Sequence, residues 1–207
     1  MIKLLILDLD NTLFDTYGQL AVKVFDEMLL RMRKAGLTKK QEEVLRREYP
    51  LTGFRILAKQ LRLSDEIKRI GMSTYKNMDL SKIKPFPDVK LLKNFKQRKI
   101  LVTSGTKEVQ LRKVDILGIK DLFDEIIVDE SSNPQGKQKI FSKILSKYNV
   151  KPNEVMVIGD NAKSEINAGN NLGMITIQIL RRQLLRGKAD YHVKNLYGVK
   201  KILEKTK

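Results

Sequence analysis

Two aspartates one residue apart, Asp8 and Asp10, follow directly on the apolar run Leu4-Leu5-Ile6-Leu7. A strand alternates its side chains, so the two acids point to one side while Leu9 turns to the other. Two carboxylates in one small site repel unless one is protonated or a cation lies between them. The pair therefore suits an acid/base couple, a metal site, or both. An isolated Asp-x-Asp can also do no more than cap the turn after a strand. In an open parallel sheet, however, ligands collect outside the carboxyl ends of the strands, where this pair would lie.

The longer string Asp8-Leu9-Asp10-Asn11-Thr12-Leu13-Phe14-Asp15 resembles the first motif of the haloacid dehalogenase-like (HAD) hydrolase superfamily. That resemblance implies a nucleophilic aspartate at Asp8, an acid/base aspartate at Asp10 and Mg2+ as cofactor, in an enzyme acting on phosphate esters. Three further stretches resemble the remaining motifs. Thr103, after the apolar run Ile100 to Val102, would donate its hydroxyl to a nonbridging phosphate oxygen, with backbone N–H donors from Ser104 and Gly105 on the same oxygen. A bare Thr-Ser-Gly could equally cap the next helix. In Lys137-Gln138-Lys139-Ile140-Phe141 there are two candidates for the motif lysine, and the lysine-proline form common in the superfamily is absent. Lys137 is favoured over Lys139, because it stands four residues before the phenylalanine, as in some small-cap and capless phosphatases. A lysine in a helix's first turn opposes the helix dipole, so the local structure gives no reason for it.

The last stretch, Gly159-Asp160-Asn161-Ala162-Lys163-Ser164-Glu165, resembles the fourth motif, a Gly-Asp followed by a second acid. It implies Asp160 as a metal ligand alongside Asp8 and Asp10. Glu165 stands where aspartate is commoner, and would reach the metal through water or hold Lys137. Asn161 is a further candidate at or just behind the metal. By this resemblance Asp8 attacks phosphorus, Asp10 protonates the leaving oxygen, and Asp10 then acts as base toward the water that hydrolyses the aspartyl phosphate. The dehalogenases that name the superfamily lack the second aspartate, so carbon–halogen cleavage is not expected. A phosphomutase and a phosphonate hydrolase share the motifs and stand as alternatives within the superfamily.

Composition narrows the classes. The chain has no cysteine and one histidine, which excludes disulfides, thiolate zinc and a poly-histidine cluster; a metal would be held by oxygen. No apolar run approaches the ~20 residues of a membrane span, and the short N-terminal run passes straight into the acidic motif, so a cytoplasmic protein without a signal peptide is expected. Forty-one Lys and Arg against 24 Asp and Glu leave a net charge of +17. Such a charge attracts anions, whether nucleic acid, an anionic membrane surface or small phosphorylated substrates, and a nucleic-acid-binding role would sit on a degenerate HAD scaffold. The bases are scattered apart from a denser stretch from Arg181, Arg182, Arg186 and Lys188 to the C-terminus, and with no tryptophan and 6% aromatic residues few platforms exist for stacking bases. A small phosphorylated substrate is the expected partner, and nothing specifies an oligomeric state.

The elements that must position these residues read as strands alternating with helices. Lys99 to Val102, Phe123 to Val128, Glu154 to Ile158 and Met174 to Ile179 are strand-like, with Tyr191 to Val193 and its His192 as an edge strand. Helices are expected over 107–117, closed by Gly118, over 137–148 and 164–172, and from Tyr197, while Asp88 is expected to cap a helix carrying Val89, Leu91, Leu92 and Phe95. This alternation gives an α/β fold, a doubly wound parallel sheet. Between Asp15 and Pro85 the periodicity is helical throughout: 17–34, 38–48 with a Thr38/Gln41 capping box stopped by Pro50, 51–63 and 64–76. The expected division is a core of 1–15 and 85–207 with a helical cap domain inserted at 16–84.

Overall fold

Every side chain of the strand Leu4–Leu7 (β1) is buried, as its unbroken apolar sequence requires of a strand covered on both faces. The computed structural model describes residues 1–49, 54–131, 135–181 and 185–206. They form two units by contact, one of Met1–Thr16 with Ile83–Lys207 and one of Tyr17–Lys82. Among the described residues no helix is long and apolar enough to cross a membrane.

In the unit Tyr17–Lys82 a π-helical turn, Tyr17–Ala21, leads into α1 (Val22–Lys34), followed by α2 (Lys39–Glu48), α3 (Phe54–Gln60) and α4 (Asp65–Lys76). Met28, Leu29, Met32, Leu45, Phe54 and Leu57 close its own apolar core. The capping box forms as expected: the Thr38 hydroxyl accepts the Gln41 N–H at 3.3 Å, and the Gln41 side chain accepts the Thr38 N–H at 3.1 Å. The stop at Pro50 and the helix start at Leu51 lie outside the described residues.

In the other unit follow β2 (Arg98–Ser104), α5 (Lys107–Ile116), β3 (Glu125–Asp129), α6 (Gly136–Tyr148), β4 (Val155–Gly159), α7 (Asn167–Asn171), β5 (Ile175–Ile179), β6 (Tyr191–Val193) and α8 (Leu196–Lys205). The six strands pair in parallel in the order β3-β2-β1-β4-β5-β6. The chain builds outward from β1 on one side, then crosses to build on the other. Where the direction of winding reverses, the carboxyl ends of β1, β2 and β4 lie side by side, the place where such sheets hold ligands. One face is filled by Leu4, Ile6, Ile100, Val102, Val155 and Val157 against Phe141 and Ile144 of α6. His192 lies on the edge strand β6, its Nε2 3.0 Å from the Gly187 carbonyl. Gly118 stands in the left-handed conformation (φ 63°) just past α5, as a helix-ending glycine does.

Two expected elements differ. Asp88 does not cap an α-helix. Pro87–Asn94 is a 3-10 segment begun by Phe86, with no side-chain cap. The Asp88 carboxylate is turned inward instead, accepting from the Leu196 N–H at 2.6 Å and from Arg181 at 3.0 Å; its stronger partners are far along the chain. The helix expected over 164–172 is a π-helical turn, Ala162–Ile166, followed by the short α7. The wider turn rotates Glu165 inward, and π turns recur where a side chain must be re-aimed.

Candidate active site

β1 ends at Leu7, and the Asp8 N–H continues the ladder onto the Ile158 carbonyl of β4 at 3.0 Å. The Asp8 carboxylate is thereby fixed at the sheet's end, 7% exposed. Lys137, in the first turn of α6 and 6% exposed, sends its ammonium between two acids, 2.6 Å from Asp8 Oδ1 and 2.8 Å from Glu165 Oε2. Lys139 is exposed on the same helix, so Lys137 is the lysine that meets the acids. The other Glu165 oxygen accepts the Asn161 N–H at 2.6 Å. Gly159 makes this possible, since a β-carbon there would lie 2.3 Å from Glu165 Cγ. The Asn161 side chain is turned to the backbone, its Oδ1 accepting the Lys163 N–H at 3.0 Å.

Oxygens of Asp8, Asp160 and Glu165 lie within 4.8 Å of one another. Three hard oxygen donors at that spacing suit a divalent cation such as magnesium in chemistry and in charge. The electrostatics agree. Burial pushes the Asp8 carboxyl up to about 7 against the pull of Lys137, with Glu165 and Asp10 adding to the rise. Burial also raises Asp160 well above the usual carboxylate range, helped by Glu165 and Asp8. Negative charge is in excess here. Burial would weaken the charge on Lys137, but Asp8 and Glu165 hold its pKa above the ordinary lysine value.

Asp10 follows a different path. Among the described residues, its carboxylate does not join the group formed by Asp8, Asp160 and Glu165. Its Oδ1 accepts from Lys113 and from the Thr16 hydroxyl, both at 2.7 Å, and its Oδ2 from Gln110 at 2.8 Å. Burial opposes the charge on Asp10, yet Lys113 and these donors hold it below the usual carboxylate range.

Thr103 is fully buried at the end of β2, its Oγ1 2.5 Å from Gln110 Nε2. Ser104 and Gly105 follow it at the same strand end, but the Gly105 N–H donates to the Asp129 carbonyl at 3.0 Å. The β2–β3 ladder runs to Ser104 and Asp129, so the amide expected to face a phosphate is engaged in closing the strand end.

Sequence reasoning missed Thr16, Gln110 and Lys113. A signal was present for the last two. On α5 the buried face is Val109, Gln110, Lys113 and Val114, and a glutamine and a lysine on a stripe whose spacing faces inward mark a polar site beneath. Lys113 also completes the charge count: Asp8, Asp10, Asp160 and Glu165 carry up to four negative charges, and Lys113, Lys137 and a divalent ion would offset four.

The sequence profile described as haloacid dehalogenase-like hydrolase matches residues 5–179. Two relatives described as glyceraldehyde 3-phosphate phosphatase are each 29% identical. The one from Methanopyrus kandleri aligns over 87% of this chain and 85% of its own length, and the one from Methanothermobacter thermautotrophicus over 94% and 92%. Among solved structures, a HAD phosphatase from Thermococcus onnurineus has the same fold, with a TM-score of 0.68, 24% identity and 98% of each chain covered.

Proposed function

The chain belongs to the haloacid dehalogenase-like hydrolases, and from that membership and the geometry at the strand ends we propose that it is a magnesium-dependent phosphohydrolase working through an aspartyl phosphate. The observation that carries this is the division of labour between the two aspartates of one motif. Asp8 shares a lysine with Glu165, whereas Asp10 is held apart on Lys113, Gln110 and Thr16. Two carboxylates whose surroundings push their proton affinities in opposite directions are the mark of separate chemical roles.

Lys137 holds Asp8 Oδ1, leaving Oδ2 to attack phosphorus in line. Lys137 and the Thr103 hydroxyl would steady the nonbridging oxygens. As the phosphorus–oxygen ester bond breaks, the leaving oxygen takes a proton from Asp10; Asp10 then removes a proton from the water that attacks phosphorus and frees Asp8. Held ionised by Lys113, Asp10 stands in the state that the base half of this cycle needs. The negative charge of a bound phosphate ester biases it toward the protonated state of the acid half. Bound magnesium would be held by Asp8 and Asp160 with Glu165 beside them, and supplies positive charge against the phosphoryl oxygens.

The substrate proposed is a small phosphate monoester, and the relatives' names put glyceraldehyde 3-phosphate first in a panel of phosphorylated metabolites. Turnover of that panel with magnesium tests the reading; no turnover of any member, or turnover indifferent to chelator, overturns it. Asp10→Asn should slow the first half-reaction, transfer of the phosphoryl group to Asp8, by roughly 10²–10⁴-fold for alkyl esters while sparing it for aryl esters, whose leaving groups need no proton, and should slow the shared hydrolysis of the aspartyl phosphate for both. Equal losses on both esters in single-turnover measurement of the first half-reaction would remove Asp10 from the acid role.

Metal binding should also be coupled to protons. Asp8, pushed up to about 7, and Asp160, likewise raised, must lose theirs to take a cation, so magnesium affinity should rise with pH through neutrality, about tenfold per pH unit for each proton released. Calorimetric titration with magnesium in two buffers of different ionisation enthalpy reads that release directly. Identical heats in both buffers would contradict it.

A further inference from the structure

Gln110 is fully buried, and its amide nitrogen faces three acceptors: Asp10 Oδ2 at 2.8 Å, Thr103 Oγ1 at 2.5 Å and the Ser104 carbonyl at 3.1 Å. The ionised carboxylate and the carbonyl can only accept, which fixes which end of the amide is nitrogen. Among the described residues its Oε1 is buried without a hydrogen-bond partner. A packed interior seldom tolerates such an atom unless the other end of the group is needed where it is. The same amide also sets Thr103. Its hydroxyl oxygen receives a hydrogen from Gln110, so its own proton is turned away from that side, free for another acceptor.

We propose that Gln110 is a positioning residue that ties the acid/base aspartate to the phosphate-binding threonine, fixing the Asp10 carboxylate and aiming the Thr103 proton with one amide nitrogen. The inference rests on the phosphohydrolase reading and extends it: phosphate binding at Thr103 and proton transfer at Asp10 share a single support, α5, through Gln110 and, one turn on, Lys113. Gly105 is packed against the same amide, since a β-carbon there would lie 3.2 Å from Gln110 Cδ.

The test uses orthophosphate with magnesium as a ligand, its binding measured by calorimetry, beside turnover of alkyl and aryl esters. Gln110→Met keeps length and removes the donor. It should weaken orthophosphate about tenfold, the scale of one hydrogen bond, and lower kcat for alkyl esters more than for aryl esters. In a Thr103→Val background the same substitution should have no further effect on orthophosphate, because the hydroxyl it aims is gone. Gln110→Glu, of the same shape, puts an acceptor where the donor was; it should turn the Thr103 proton away from phosphate and weaken binding at least as much, which keeps the inference testable should the methionine variant not fold. Wild-type affinity for orthophosphate in both variants, or a methionine effect that adds in full to that of Thr103→Val, overturns the role of Gln110 while leaving the phosphohydrolase reading intact. Wild-type protein that neither binds orthophosphate nor hydrolyses any ester overturns both.

Discussion

Asp8→Asn should lower kcat for an aryl phosphate by roughly 10⁴-fold or more, the scale on which hydrolases lose turnover with their nucleophile. The protein should stay folded. An amide keeps an oxygen for the Lys137 ammonium, which has Glu165 as its second partner. It also removes a charge that the site accommodates poorly, since burial pushes the Asp8 carboxyl up to about 7. Between the ordinary carboxylate value and about 7 the folded protein binds more protons at Asp8 than the unfolded chain does, so in the metal-free wild type this group's contribution falls as pH rises. The variant lacks that penalty. Its melting temperature without metal at mildly alkaline pH should therefore equal or exceed that of the wild type, measured beside kcat on the same preparation. Near-wild-type turnover would remove Asp8 from the nucleophile's place.

Lys137→Met should have the largest effect on stability. It leaves Asp8 and Glu165 buried with no ammonium between them, and removing one partner from a buried ion pair costs about 3–5 kcal/mol. Because the fold raises its pKa, Lys137 contributes fully below its unfolded value and throughout the neutral range, so the wild type should show no pH dependence from it there. In the variant the stranded carboxylates relieve the strain by taking up protons, so the deficit should shrink as pH falls from about 8 to about 5. Urea unfolding of both proteins at those two pH values measures it. A deficit of the same size at both would mean that lost packing, rather than stranded charge, destabilises the variant.

How much of this could be read from the chain follows the range of the interactions. β1 and β4 are visible because strands buried on both faces are continuous apolar runs. The capping box at Thr38 and the helix end at Gly118 are decided within a few residues of themselves. Asp8, Thr103, Lys137 and Asp160 fall at strand and helix ends that periodicity already marks, and the parallel sheet brings those ends together. What could not be read depends on distant partners. Asp88 looks like a helix cap until Arg181 and Leu196 claim its carboxylate. The turn at Ala162–Ile166 is π-helical where Glu165, one methylene longer than the usual acid, curls over Gly159 to reach Lys137. Gln110 and Lys113 sit in an ordinary helix, and only the meeting of α5 with the end of β1 gives them Asp10 as a partner.

The central place of β1 bears on how the protein is made. β1 is made before every other strand of its sheet, yet Leu4 pairs with Arg98 on one side and Val155 on the other. A nascent chain therefore carries a wholly apolar strand with no partner until β2 is made and with one edge open until β4 is made, a segment open to wrong pairing. The residues made meanwhile, Tyr17–Lys82, have their own core, and beyond them Phe14 and Pro85 meet in an antiparallel bridge. If that helical unit folds as it emerges, the loop that β1 must close to meet β2 becomes a short one, with the lower entropy cost of a short closure. An insertion that separates the first strand from its partners in sequence would then be what brings them together in time.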